Sequence, residues 1–185
     1  MEILTYTEEH RIFRDAVRKY LDGEVVPHVD QWEKDGLVPK DAWLKLGEQG
    51  FLCMDVPEAY GGFGLDFLYS VIVCEELVRA RATGLMAPLH SDVVVPYITA
   101  FGSEEQKQRY LPGCISGECI TAVAMTEPHT GSDLAAIKTT AVEDGDEVIL
   151  NGSKTFISSG INCDLVIVAA RDPKAEDPHQ SISLY

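Results

Sequence analysis

The chain has 185 residues, 45% of them hydrophobic, which is enough to bury a core in one large or two small domains and too much for a disordered tail. Lys plus Arg number 15 against 30 Asp plus Glu, and the net charge of -15 at pH 7 opposes condensation on nucleic acid or on an anionic bilayer. The longest apolar runs, residues 93–97 and 165–170, fall far short of the roughly 20 residues a membrane helix needs, so neither nucleic acid nor membrane is an expected partner.

Five cysteines, Cys53, Cys74, Cys114, Cys119 and Cys163, form no C-x-x-C pair, which predicts buried reduced thiols and neither a disulfide framework nor a thiolate metal site. The histidines His10, His28, His90, His129 and His179 are scattered without ligand spacing, and no metal is expected. The start, Met1-Glu2-Ile3-Leu4, has neither the layout of a secretory signal nor the Arg-rich character of a transit peptide, so a cytoplasmic product is expected.

Along the chain, Thr5 and Glu8 read as a capping box, followed by Phe13, Val17, Tyr20 and Leu21 on one helical face and a stop near Gly23. Pro39 suits the first turn of a second helix through Trp43, Leu44 and Leu46 to Gly50. A third helix is predicted over residues 65–81, with an inner stripe of Leu68, Val71, Ile72, Glu75 and Val78 in which Glu75 is an exposed or helix-paired charge. Further helices are predicted over residues 85–100 and 104–110, the latter opened by a Ser103/Gln106 capping box and closed by Pro112 and Gly113.

From Cys119 the pattern changes to short β-rich runs at residues 120–125, 138–142, 147–150, 154–158 and 164–170, with hairpin signals at Asp144-Gly145 and Asn151-Gly152. The polar loop 172–180 and a last strand at residues 181–185 follow. The fold class is therefore α+β, an all-α domain over residues 1–117 and an incomplete antiparallel β domain over residues 118–185. An open sheet exposes backbone groups along its edge, so further sequence or a partner is expected to cover it.

Two segments carry chemistry. In A-M-T-E-P-H-T-G-S-D, residues 124–133, a strand end, a proline, a glycine and three hydroxyl side chains suit the polar edge of a flat heterocycle or a phosphate, although a surface turn has the same composition. In K-T-F-I-S-S-G, residues 154–160, strand alternation would place Phe156 and Ser158 on one face, a ring and a donor that suit a flavin, whereas a lone aromatic more often packs into a sheet. Gly61, Gly62 and Gly64 lack the spacing and the strand-turn-helix frame of a dinucleotide fingerprint and read as a structural turn.

At this spacing the two segments resemble the flavin signatures of the acyl-CoA dehydrogenase family, T-E-P-x-x-G-S-D and K-x-aromatic-I-Ser/Thr. P-E-A-Y-G-G-F-G at 57–64 and F-G-S-E-E-Q-K-Q-R-Y-L-P at 101–112 are similar to it as well, so the resemblance covers essentially the whole chain. It implies FAD as cofactor, held by Val123, Ala124, Met125, Thr126, Gly131 and Ser132 on the loop and by Phe156, Ile157 and Ser158 on the second segment. Thr126 then meets the pyrimidine edge, Phe156 the ring and Ser158 the region of flavin N5, while Ser132 also contacts the acyl-CoA and Glu127 is structural. Thr130, beside His129, departs from the pattern, because a β-branched residue stands where the family has a very small residue or Asn.

The resemblance further implies removal of an α-proton by a carboxylate, hydride transfer to the flavin and a trans-2-enoyl-CoA product. The family's glutamate base belongs to a C-terminal helical domain, so no carboxylate of this chain takes that role and the 185 residues alone are expected to be inactive. Leu85, Met86, Leu89, Val93 and Val94 lie on a helix that borders the acyl pocket in the family and imply an aliphatic acyl group, with Leu89 and Val93 as substrate contacts. Electron-transferring flavoprotein as acceptor and a homotetramer are implied too. An acyl-CoA oxidase, a flavin monooxygenase of the same architecture, or a catalytically silent chain that acts by binding a partner are the alternatives.

Overall fold

The structure is a computed structural model and describes residues 4–175, 177 and 181–185. The start at Met1, Glu2 and Ile3, the end of the polar loop at Gln180, and His179 lie outside the described residues. The chain divides into two compact units, Met1–Ile120 and Thr121–Tyr185.

The first unit is helical: α1 Glu8–Tyr20, α2 Val29–Asp35, α3 Lys40–Glu48, α4 Phe67–Arg79, α5 Val95–Phe101 and α6 Glu104–Ser116. The cap of α1 is Thr7, two residues after the expected Thr5. Its hydroxyl accepts the His10 N–H at 3.3 Å and His10 Nδ1 accepts the Thr7 N–H at 3.2 Å, so an imidazole does the work expected of a glutamate. Beyond Tyr20 the helix widens into a π turn, Leu21–Val25, instead of stopping near Gly23. Pro39 is the N-cap of α3 and not a residue of its first turn. The Ser103/Gln106 capping box of α6 is present, but the helix runs on through Pro112 to Ser116 and ends at Gly117 in the left-handed region.

The buried face of α4 also departs from expectation. It carries Ser70, Ile72, Val73, Glu76 and Leu77, while Val78 of the expected stripe is 60% exposed. The reason is Glu76, a carboxylate only 1% exposed. It accepts hydrogen bonds from Arg18 Nε at 2.9 Å and Nη2 at 2.7 Å, Arg79 Nε at 2.6 Å and Arg14 Nη1 at 3.3 Å. The Arg14 and Arg18 bonds tie α4 to α1, the Arg79 bond lies within α4, and together they hold the acidic edge of α4 inward. Glu75, by contrast, is half-exposed and pairs with Arg14 at 2.6 Å. Trp43, Leu46, Leu52, Met54, Ile72, Leu85 and Leu111 are among the fully buried side chains.

The Gly61, Gly62 and Gly64 segment is a structural turn. Gly61 and Gly64 have φ of 90° and 60°, and a Cβ on Gly62 would collide with the Val56 carbonyl, to which Gly64 N–H donates at 2.9 Å. The helix expected over residues 85–100 is broken into a left-handed residue at Met86 (φ 56°), a π segment Leu89–Val94 and α5, which starts where Pro96 fits its first turn.

Among the described residues the second unit holds five strands, β1 Thr121–Ala124, β2 Thr140–Asp144, β3 Glu147–Asn151, β4 Leu165–Arg171 and β5 Ile182–Leu184. The order is β1-β4-β2-β3, with β5 pairing β4. The expected antiparallel pairing is present in β2/β3 and β4/β5, and parallel pairs β1/β4 and β2/β4 make the sheet mixed. Asp144 pairs with Glu147 across the hairpin at Gly145, whose φ of 63° is the conformation such a turn needs. Two expectations fail here. Asn151-Gly152 makes no hairpin, and residues 154–158 form no strand, because the chain leaves the sheet after Asn151 for an irregular path described below.

Candidate functional site

The two segments singled out in the sequence meet in the second unit. β1 delivers the chain to Met125 and Thr126, and the Thr155 N–H donates to the Thr126 carbonyl at 3.0 Å. Lys154 Nζ donates to the Met125 carbonyl at 2.9 Å and to Glu127 Oε1 at 3.0 Å. Gly152 makes this approach possible, since a Cβ there would collide with Thr139.

Glu127 is the hub. Its side chain is 2% exposed and accepts the Lys138 N–H at 2.7 Å, the Thr139 N–H at 2.8 Å and the Thr139 hydroxyl at 2.5 Å, in addition to Lys154. Burial alone would raise its pKa, but the bonds from Thr139, Lys138 and Lys154 outweigh burial and hold the carboxyl at about 2. His129 Nε2 adds a contact to Glu127 Oε2 at 3.4 Å. Around it the loop closes on itself: Glu127 and Thr130 exchange both backbone bonds, at 2.9 and 3.1 Å, and the Thr130 hydroxyl donates to the Asp133 carbonyl at 2.7 Å. The Thr130 side chain is thus tied into the loop through its hydroxyl.

After Thr155 the backbone turns sharply. Phe156 has φ of 55° and is 92% exposed, so the ring is held out into solvent by a conformation that costs a bulky residue on the order of 1–3 kcal/mol. Two turns follow, with the Gly160 N–H donating to the Ile157 carbonyl at 3.0 Å and the Asn162 N–H to the Ser159 carbonyl at 3.1 Å. Phe156 and Ser158 therefore do not share a strand face as expected. Both are nonetheless exposed, presented by turns, and Ile161, which the sequence reading passed over, is 84% exposed beside them.

The other expected contacts divide by exposure. Gly131 and Ser132 are exposed, Val123, Met125, Thr126 and Ile157 half-buried, and Ala124 only 4% exposed, which leaves Ala124 little but its backbone to offer. A Cβ on Gly131 would meet nothing within 4 Å, so there is open space beside the loop. With the Met125 and Thr126 carbonyls spent inside the protein, the surface is rich in donors and hydroxyls around an exposed aromatic face. That composition fits a flat heterocycle edged with acceptor atoms, as FAD is. Lys154 and Thr139 are the residues the sequence reading missed, and the Lys at the head of the second motif, following the Glu of the first, was the available signal.

In the first unit, Leu89 is half-buried and Val93 is 44% exposed on the π segment, while Leu85 and Val94 of the expected apolar face are 1% and 0% exposed and belong to the core. Between them, Asp92 accepts a hydrogen bond from Ser70, itself 2% exposed, and burial lifts the Asp92 carboxyl to about 6. Beneath lies a Cys–His pair, with Cys53 Sγ 3.4 Å from His90 Nε2. Burial lowers the imidazole to about 4 and pushes the thiol up, so the pair stays neutral and is no thiolate nucleophile. Among the described residues, no group of three or more His, Cys, Asp or Glu could hold a metal ion. Among the described residues, no helix is long and apolar enough to cross a membrane.

The chain thus presents a helical unit followed by a mixed sheet, with paired loops that hold an exposed ring near hydroxyls, and comparison with known proteins identifies its family. Residues 7–118 match the family model described as acyl-CoA dehydrogenase, N-terminal domain, and residues 122–185 that of the middle domain. The chain belongs to the acyl-CoA dehydrogenase family. It is 46% identical over 181 residues to the long-chain specific acyl-CoA dehydrogenase, mitochondrial, of Sus scrofa, which covers 97% of this chain and 42% of that protein. Among solved structures it is similar to an acyl-CoA dehydrogenase from Geobacillus kaustophilus, with a TM-score of 0.94 and 54% identity over 97% of this chain and 47% of that one. It is also similar to an acyl-CoA dehydrogenase complexed with FAD from Bacillus anthracis, with a TM-score of 0.86 and 32% identity over 97% of this chain and 31% of that one. The chain thus spans less than half the length of these relatives.

Proposed function

We propose that this chain supplies one wall of the FAD site of an acyl-CoA dehydrogenase that converts an aliphatic acyl-CoA thioester to its trans-2-enoyl-CoA. The observation that carries the reading is the exposed Phe156 ring, held at a strained φ next to a loop whose carbonyls are already spent. Bound FAD supplies the hydride acceptor. Phe156 and Ile157 would cover its ring, and Thr126, Ser132 and Ser158 would meet its polar edge, holding the acceptor in one orientation while the apolar ring keeps water away.

The α-proton needs a carboxylate base, and the buried carboxylates of this chain are unsuited. Glu76 and Glu127 are saturated by cationic and N–H donors and held at about 2, and Asp92 is turned to the buried Ser70. We assign the base to no residue of the chain. Met86, Leu89 and Val93, the members of the apolar face that are not fully buried, support an aliphatic acyl group over a dicarboxylic one. On this reading electrons pass to an electron-transferring flavoprotein and the enzyme is a homo-oligomer, both carried over from the family.

The test is anaerobic addition of acyl-CoA thioesters to the flavin-loaded enzyme that carries this chain. The expected result is bleaching of the visible flavin band, a product lighter by two hydrogens, and faster reduction by fatty acyl-CoA than by glutaryl-CoA. Absence of bleaching with every thioester would overturn the assignment, and preference for glutaryl-CoA would overturn the aliphatic reading alone.

A further inference from the structure

Glu127 and Lys154 form an ion pair in which the side chains are 2% and 11% exposed. Such burial costs several kcal/mol per ion before the pair recovers it, so stability alone is a weak reason for the pair. Its placement supplies another. Lys154 Nζ bridges the Met125 carbonyl and Glu127 Oε1, while Glu127 in turn takes the Lys138 and Thr139 N–H groups at the start of β2. One ammonium and one carboxylate thereby fix the loop 125–130, the segment 152–156 and the mouth of β2 in a single arrangement, and the Thr155 to Thr126 backbone bond lies inside that frame.

We propose that Glu127 and Lys154 are positioning residues of the flavin site: the pair latches its two loops together and its balanced charge sets the relative affinity for oxidised and reduced flavin. The inference rests on the flavin reading above. Two consequences follow from the geometry. The carbonyls of Met125 and Thr126 are kept from the ligand, which leaves donors to face its acceptor-rich edge. Two-electron reduction adds negative charge to the flavin, and in a site of low dielectric the flavin responds to whichever member of the pair is left uncompensated. Glu127→Gln leaves the Lys154 ammonium unbalanced and favours the reduced form, whereas Lys154→Met leaves the Glu127 carboxylate unbalanced and disfavours it. A purely structural pair would weaken both forms alike.

Two measurements test this. In the protein without flavin, amide exchange is followed at Lys138, Thr139 and Thr155. Lys154→Met and Glu127→Gln are each expected to lower protection at all three, although neither substitution touches the Thr155 N–H or its acceptor. Loss confined to Lys138 and Thr139 overturns the latch. In the flavin-loaded enzyme, the midpoint potential is expected to rise in Glu127→Gln, fall in Lys154→Met and return toward the starting value in the double variant. Shifts of one sign, or none, overturn the charge role. If the unsubstituted protein takes up no flavin, the proposed function fails, and the exchange result still decides the latch.

Discussion

The Glu76 cluster makes the sharpest demand on the fold. The Arg18 bonds, with those of Arg79 and Arg14, outweigh burial and hold this carboxyl at about 2, against an ordinary value of 4.5. A difference of that size is worth about 3 kcal/mol at neutral pH. Because the folded-state pKa is depressed, the contribution is present above pH 4.5 and is lost as pH falls from 4.5 toward 2. Glu76→Gln keeps the shape but removes the charge and turns an amide N–H toward arginines, so it should cost about 3 kcal/mol at pH 7, within the range for breaking a buried ion pair. The two tryptophans, Trp32 and Trp43, both lie in the first unit, so urea unfolding followed by their fluorescence reports that unit. The gap between the parent protein and the variant should be near 3 kcal/mol at pH 7 and shrink below pH 4.5. A gap under about 1 kcal/mol, or one that stays constant into acid, would refute the reasoning.

Further outcomes are expected on the same footing. The unfolded state protonates His90 at its ordinary 6.5 while burial keeps the folded imidazole neutral to about 4. This contribution falls away as pH drops from 6.5 to 4, while the raised Asp92 carboxyl acts in the opposite sense over the same range. His90→Gln removes the first alone, so in the same fluorescence assay its stability relative to the parent protein should rise as pH falls from 6.5 to 4. Phe156→Ala removes a ring that is 92% exposed, so unfolding midpoints should move by no more than about 0.5 kcal/mol while flavin affinity, read by titration, falls roughly tenfold. Gly62→Ala drives a methyl into the Val56 carbonyl and should cost about 1–3 kcal/mol in urea unfolding, with the loss read again from tryptophan.

Much of this was legible in residues. The change from helical to β pattern near Cys119, the Ser103/Gln106 capping box and the Asp144-Gly145 turn all have local causes, and all appear. What escaped depends on distant partners. Val78 looks like core on an isolated helix, but three arginines from two helices draw Glu76 inward and rotate α4 away from that face. The run Lys154, Phe156 and Ser158 alternates like a strand, yet Lys154 is claimed by Met125 and Glu127, and Phe156 turns into the left-handed region just beyond. The site segments were readable as composition and as a family resemblance. The Glu127–Lys154 frame that joins them spans 27 positions and was not.

The central claim is that these loops form a flavin surface built around Phe156, and the most direct measurement is a titration of FAD with the flavin-free enzyme that carries this chain, followed by flavin fluorescence, for the parent protein, Phe156→Ala and Ser158→Ala. Saturable quenching in the parent protein, weakened in both variants at unchanged fold stability, is the predicted result. Absence of saturable quenching, or quenching indifferent to Phe156, would contradict it.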